Sequence, residues 1–139
     1  MEYLFRGYSK SDNKFYEGYL FCIAEDLNPF IMLKNSHGES HEVIPETVGQ
    51  YTGLTDKNGK RIFEGDIISA NTLDTGEEQR AVVCFGNFMD ENNDEEYIGF
   101  YIEFCSIKTT ITQLAMEECK NRIEIIGNIF DNPELLDGE

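Results

Sequence analysis

The chain has little positive charge. Eleven Lys and Arg stand against 27 Asp and Glu in 139 residues, giving a formal net charge of −16 and a sequence pI near 4.3. A nucleic-acid binder must bring cations to the phosphates, so this balance argues against direct DNA or RNA binding, and equally against an anionic membrane surface. It leaves room for a basic protein partner, for metal ions, or simply for solubility. Tryptophan is absent and proline is limited to three. No apolar run approaches the ~20 residues that span a bilayer. The opening MEYLFRGYSK has no basic segment followed by an apolar stretch, so no leader peptide is expected. The four cysteines, Cys22, Cys84, Cys105 and Cys119, lie far apart with no C-x-x-C pair. The apolar neighbours of Cys22 and Cys84 mark them as small buried hydrophobes, and a protein of the reducing cytoplasm is expected.

Aromatic residues are plentiful, with 10 Phe and 7 Tyr. Disordered acidic chains are poor in such residues, so this one folds. Its length fits one domain, or one domain with a small appendage, able to bury roughly two-thirds of its unfolded surface.

Strand patterns dominate. Tyr3 to Tyr8 and Phe15 to Ile23 flank the turn Ser9–Asn13, and Phe30–Leu33 pairs with Glu42–Ile44 around Asn35–Gly38. Asn28-Pro29 breaks the pattern between these pairs. Pro45 marks a boundary between an N-terminal antiparallel β segment (1–45) and a barrel-like core with a C-terminal tail (46–139), unless the two are continuous. Glu46 to Gln50 is either one helical turn or a crossover. Asn58-Gly59 is the strongest hairpin signal, and Glu64-Gly65-Asp66 makes a further turn. Residues 72–80 and the acidic run 87–96 read as loops around a buried strand Ala81–Phe85. Tyr97–Phe104 alternates cleanly, with Ile98, Phe100, Ile102 and Phe104 on one face. One short helix is predicted near 112–121, then a strand Arg122–Ile126. A last short helix begins at Pro133 with Asn132 as its cap. The fold class expected is mainly β (β-rich α+β), short antiparallel strands with an SH3-like small barrel in the C-terminal two-thirds.

No group of residues declares a reaction, and the chain is read as non-catalytic with no cofactor. Gly53 to Lys60 superficially resembles a phosphate loop, but five residues separate its glycines where four are needed, and Arg61 stands where Ser or Thr would hold magnesium. Asp90, Asn92, Asp94 and Glu96 alternate as at the start of an EF-hand, yet Glu95 replaces its turn glycine and Tyr101 its bidentate Glu. His37 and His41, with Glu39 or Glu42, form a further metal candidate, but the turn at Asn35 and Gly38 makes the two rings diverge. No metal site is therefore assigned. No cysteine has a histidine neighbour in sequence to activate it, and only Cys119 has a basic one, Lys120. Asp56, Asn58, Gly59, Glu64, Gly65 and Asp66 read as a structural turn motif: Gly65 permits a positive φ, and Asp66 accepts from turn amides at a strand start.

Residues 51–68, YTGLTDKNGKRIFEGDII, closely resemble the hallmark of the YopX family, small proteins carried by phages and prophages. Phe5-Arg6-Gly7-Tyr8 is similar to the family's opening, and Ile125 to Leu136, IIGNIFDNPELL, agrees at the other end. Between them, 69–120 matches only in strand rhythm. The resemblance implies a largely β fold with an SH3-like portion, in a bacterial host cell; it implies no activity, substrate or catalytic residue.

The function expected is an accessory module that binds a host or phage protein or assembles with itself. It would touch neither nucleic acid nor membrane. The alternative is an acidic nucleic-acid mimic that occupies the basic groove of a DNA- or RNA-binding host protein. A metal-assisted enzyme built on the acidic run or the histidines is the third class.

Overall fold

Short aromatic and apolar runs separated by turn residues become eleven strands among the residues that the computed structural model describes: 4–22, 29–34, 36–71, 76–90, 95–103, 108–110 and 122–136. They fall into two compact units, Met1–Tyr51 and Thr52–Glu139. The mainly β expectation holds. Among the described residues no helix is long and apolar enough to cross a membrane.

In the first unit, β1 (Phe5–Ser9), β2 (Lys14–Cys22), β3 (Pro29–Leu33), β4 (Ser40–Glu42) and the start of β5 (Gly49–Thr55) pair antiparallel in the order β4-β3-β2-β1-β5. The β1–β2 turn closes with Asn13 at φ 58° and its amide donating to the Ser9 carbonyl at 2.8 Å. Asn tolerates this left-handed geometry better than most residues. Pro29 occupies the first position of β3, opposite Cys22, where a missing amide is tolerated, and its carbonyl still accepts from Val43. Gly18 lies opposite Phe5 on one side and Leu33 on the other, and a Cβ there would overlap the Met32 carbonyl oxygen. Leu4, Ile31 and Val43 are buried. A 3-10 turn, Pro45–Thr47, follows β4. The Thr47 hydroxyl donates to the Ile44 carbonyl at 2.6 Å and accepts from the Tyr8 amide at 2.9 Å, which satisfies a buried polar side chain twice.

Cys22 corrects the sequence reading: it is exposed at the end of β2, and Cys84 is only half-buried. An apolar neighbourhood in sequence does not say which side of a strand faces the core. Cys105 and Cys119 lie outside the described residues.

In the second unit, the rest of β5 neighbours β6 (Arg61–Phe63), and a five-stranded antiparallel sheet follows. It comprises β7 (Asp66–Asn71), β8 (Glu78–Asp90), β9 (Glu95–Glu103), β10 (Lys108–Thr110) and β11 (Glu124–Asn128) in the order β10-β9-β8-β7-β11. Among the described residues its outer strands, β10 and β11, do not pair with each other, so the strand order does not confirm an SH3-like barrel. Ile62, Ile68, Ala81, Val83, Ile102 and Ile123 form the core, with Leu54, Ala70, Phe100 and Ile125 packed against it. Burying such side chains supplies roughly 1.5–3 kcal/mol each.

Part of the stretches 72–80 and 87–96, expected as loops, is strand. β8 begins at Glu78 and runs to Asp90, and β9 begins at Glu95, with register pairs down to Asp90–Glu95. Glu78 accepts from the Ser69 hydroxyl across the β7–β8 ladder at 2.6 Å and meets Arg80 of its own strand at 3.2 Å, so contacts across and along the strand hold a polar sequence in place. The predicted helix 112–121 lies outside the described residues. After β11 a 3-10 turn, Pro133–Leu136, folds back on Gly127, where a Cβ would lie 2.6 Å from Asn132 Oδ1. Asn132 does not cap that turn with its side chain as expected; its Oδ1 accepts from the Asn128 amide at 3.3 Å. Arg80 fastens the tail by donating to the Leu135 carbonyl at 2.9 Å.

Candidate functional site

Three places concentrate unusual chemistry, and each has to be weighed as scaffold or as site. The first is the turn from Asp56 to Lys60. Gly59 sits at φ 81°, where a β-carbon is strained. The Asp56 carboxylate accepts from the amides of Asn58 and Lys60, both at 2.9 Å, and of Ile125 at 3.0 Å. Lys57 donates its amide to the Ile123 carbonyl, and Gly59 donates to the Asp56 carbonyl. The amides of Lys57, Asn58, Gly59 and Lys60 are therefore already committed, three of them within the turn itself. Burial pushes the Asp56 carboxyl up, but the three amide bonds and the nearby Lys60 charge outweigh it and hold the group below the ordinary carboxylate value. Gly65 sits at φ 97°, donates to the Val83 carbonyl at 2.8 Å and accepts from Ile129 at 2.9 Å. Asp66, buried, accepts from the Phe63 amide at 2.8 Å, while Glu64 is half-buried. The Asp56 and Asp66 carboxylates hold turns in place by accepting from backbone amides.

The second place is in the first unit. His41, on β4, stacks on Tyr16 of β2 with ring centroids 3.7 Å apart and planes 4° off parallel. Its Nδ1 lies 3.3 Å from Asp12 and its Nε2 2.9 Å from Glu39. The Tyr16 hydroxyl donates to the same Asp12 oxygen at 2.7 Å, and Lys14 lies 5.0 Å from the Tyr16 ring centroid. The Asp12 hydrogen bond, then burial, then the Asp12 and Glu39 charges push the Tyr16 pKa up to about 12. His37 is exposed in the bend 36–38. So the structure gathers His41 with Asp12, Tyr16 and Glu39, and not with His37. Asp12 and Tyr16 carried no signal in sequence because they come from a different hairpin.

A carboxylate faces each imidazole nitrogen of His41. The two acids meet opposite edges of the ring and cannot share one ion through it. Among the described residues no three His, Cys, Asp or Glu side chains come together as a metal site. Of the acidic run, Asp90 ends β8, Asp94 lies outside the described residues, and Glu96 is exposed on β9. A cavity of about 450 Å³ is lined by Lys10, Ser11, Glu42, Val43 and Ile44. The amides of Val43 and Ile44 already donate to Pro29 and Tyr8.

The third place is the β8–β9 hairpin. Period-two alternation puts Ala81, Val83 and Phe85 on one face, and the register sets Ile102 opposite Val83, Phe100 opposite Phe85 and Ile98 opposite Asn87 on that same face. At the core end Ala81, Val83 and Ile102 are no more than 1% exposed. At the other end Phe85 is 45% and Ile98 is 77% exposed. The Phe85 and Phe100 rings meet edge to face at 4.9 Å, which orders the outer part of the face. The core face thus runs continuously out into solvent along two strands.

The comparisons fit this fold. A crystal structure of protein EF1440 from Enterococcus faecalis superposes with a TM-score of 0.54 over 99% of both chains, at 23% identity, a likeness of fold. No curated protein matches the chain. The family model for the YopX protein matches residues 4–137, nearly the whole length, and the chain belongs to the YopX family.

Proposed function

We propose that this protein is a non-catalytic protein-binding module of phage or prophage origin, and that the outer face of β8–β9 is where it binds. The observation that carries this reading is the exposure of Ile98, at 77%, on the same sheet face as the buried Val83 and Ile102. A large apolar side chain in water is ordinary when it stands alone. An apolar face continuous with the core, on a two-stranded ribbon, is what interaction surfaces present. A ribbon of two strands is also marginally stable by itself and gains from a third layer or strand. The buried carboxylates of Asp56 and Asp66 accept from turn amides, and a carboxylate faces each nitrogen of His41, which favours a structural role for these groups.

The test is a pull-down from bacterial lysate with the wild-type chain and with Ile98→Ser, combined with light scattering of the purified proteins. The expected result is a partner, or a second copy, retained by wild type and lost by the variant. A wild-type chain that stays monomeric and captures nothing the variant does not also capture would overturn the proposal.

A further inference from the structure

We infer that the β8–β9 face receives an extended, lysine- or arginine-bearing segment of a partner protein, which adds alongside the ribbon; this rests on the reading of that face as the binding surface and names its occupant. Three independent features converge on it. The first is the apolar centre formed by Phe85, Phe100 and Ile98, two residues apart on β9 and on one face.

The second is the open backbone. β7 pairs with β8 only as far as Val82, and the Gly65 amide takes the Val83 carbonyl. β10 pairs with β9 only from Tyr101 to Glu103. Beyond those points the two strands pair with each other down to Asp90–Glu95. Among the described residues no third strand lies along either outer edge. Unpaired strand edges are templates for an added strand, with main-chain hydrogen bonds giving affinity and alternate side chains giving specificity.

The third is charge. From Ala81 to Ile107 the sequence contains no Lys or Arg, and six carboxylates: Asp90, Glu91, Asp94, Glu95, Glu96 and Glu103. Two copies of so acidic a stretch repel each other, which disfavours self-association. A segment alternating apolar and cationic residues complements both properties at once. Added at the β9 edge, its apolar side chains would lie beside Ile98, and its cations would be drawn by the negative charge of the ribbon. The attraction would also steer encounter and weaken with salt.

The test uses synthetic peptides of about ten residues, long enough to lie along one strand. One alternates Val and Lys and the other alternates Val and Glu, each with a fluorophore, titrated against the full chain by anisotropy. The Val–Lys peptide is expected to bind at least tenfold more tightly than Val–Glu, and to weaken as salt rises. Ile98→Ser should reduce Val–Lys affinity at least fivefold. That variant keeps the net charge of −16, so diffuse attraction to an acidic protein would survive it unchanged. Equal affinity for the two peptides, no binding of Val–Lys, or indifference to Ile98→Ser would each overturn the inference. A concentration-dependent dimer dissolved by Ile98→Ser would overturn it too, by making a second copy the occupant, while leaving the face itself a binding surface.

Discussion

The Asp56 carboxylate, in the turn after β5, accepts a hydrogen bond from the Ile125 amide, 69 residues further along the chain. One buried side chain thus closes its own turn through Asn58 and Lys60 and fastens β11 to it. Replacing Asp56 with Ala strands these amides with no partner. A loss of about 2–4 kcal/mol in unfolding free energy is expected, measured by denaturant titration.

The same carboxyl makes stability depend on acid. Its pKa is lower in the folded chain than the ordinary 3.8. A depressed carboxyl contributes stability that is fully present above the unfolded value and is lost as pH falls through the folded one. Melting temperature should therefore drop below about pH 4 more steeply in wild type than in Asp56→Asn, which has no proton to take up at that position.

Gly18→Ala should damage the first unit. The added methyl would fall on the Met32 carbonyl oxygen, which is backbone of the neighbouring strand and cannot rotate away. Separation of β2 and β3 is the available relief, so a loss of more than about 2 kcal/mol is expected. Hydrogen exchange at Ile31 and Met32 would locate it, with fast exchange confined to that unit.

Tyr16 offers a titration that reports on the His41 cluster. Its hydroxyl is held protonated up to about 12, first by the hydrogen bond to Asp12. Asp12→Asn should bring the Tyr16 pKa back towards 10, followed through the ring carbon shifts by NMR. Because the folded value is raised, the group's contribution to stability is present below pH 10 and disappears as pH rises towards 12. Asp12→Asn should flatten that alkaline loss.

Ile98→Ser should leave stability within about 0.5 kcal/mol of wild type, since so little of the side chain is buried. Val83→Ser, on the same face but 1% exposed, should cost about 2–4 kcal/mol. Thermal melting of the two variants separates the core end of the face from the end offered to a partner.

Local rules made the turns legible. Asn58-Gly59 and Gly65-Asp66 act over two to four residues, and their backbone needs are written in the residue types. The alternation of Ile98, Phe100 and Ile102 likewise gave the right face. It did not give where along the face burial ends, because that depends on how far β7 and β10 extend beside β8 and β9. The strand lengths at 78–80 and 87–90 were hidden by polar and acidic composition, since pairing across the ladder outweighed propensity. The His41 cluster was illegible for another reason: Asp12 and Tyr16 reach it through the register of β2 on β3 and β3 on β4, which no short window contains.

The pairing of β11 with β7 has a consequence for synthesis. The ladders of β7 with β8 and of β8 with β9 join neighbours in sequence and can zip as the chain leaves the ribosome. β7 acquires its second neighbour only when residues 124–128 emerge. Until then one edge of β7 stays open, bearing the apolar Ile67 and Ile68 that the finished protein buries. The first unit has no such wait, because its last ladder partner is complete by Tyr51. Translation therefore delivers an early-closing N-terminal sheet followed by a second sheet that cannot finish until its last strand arrives.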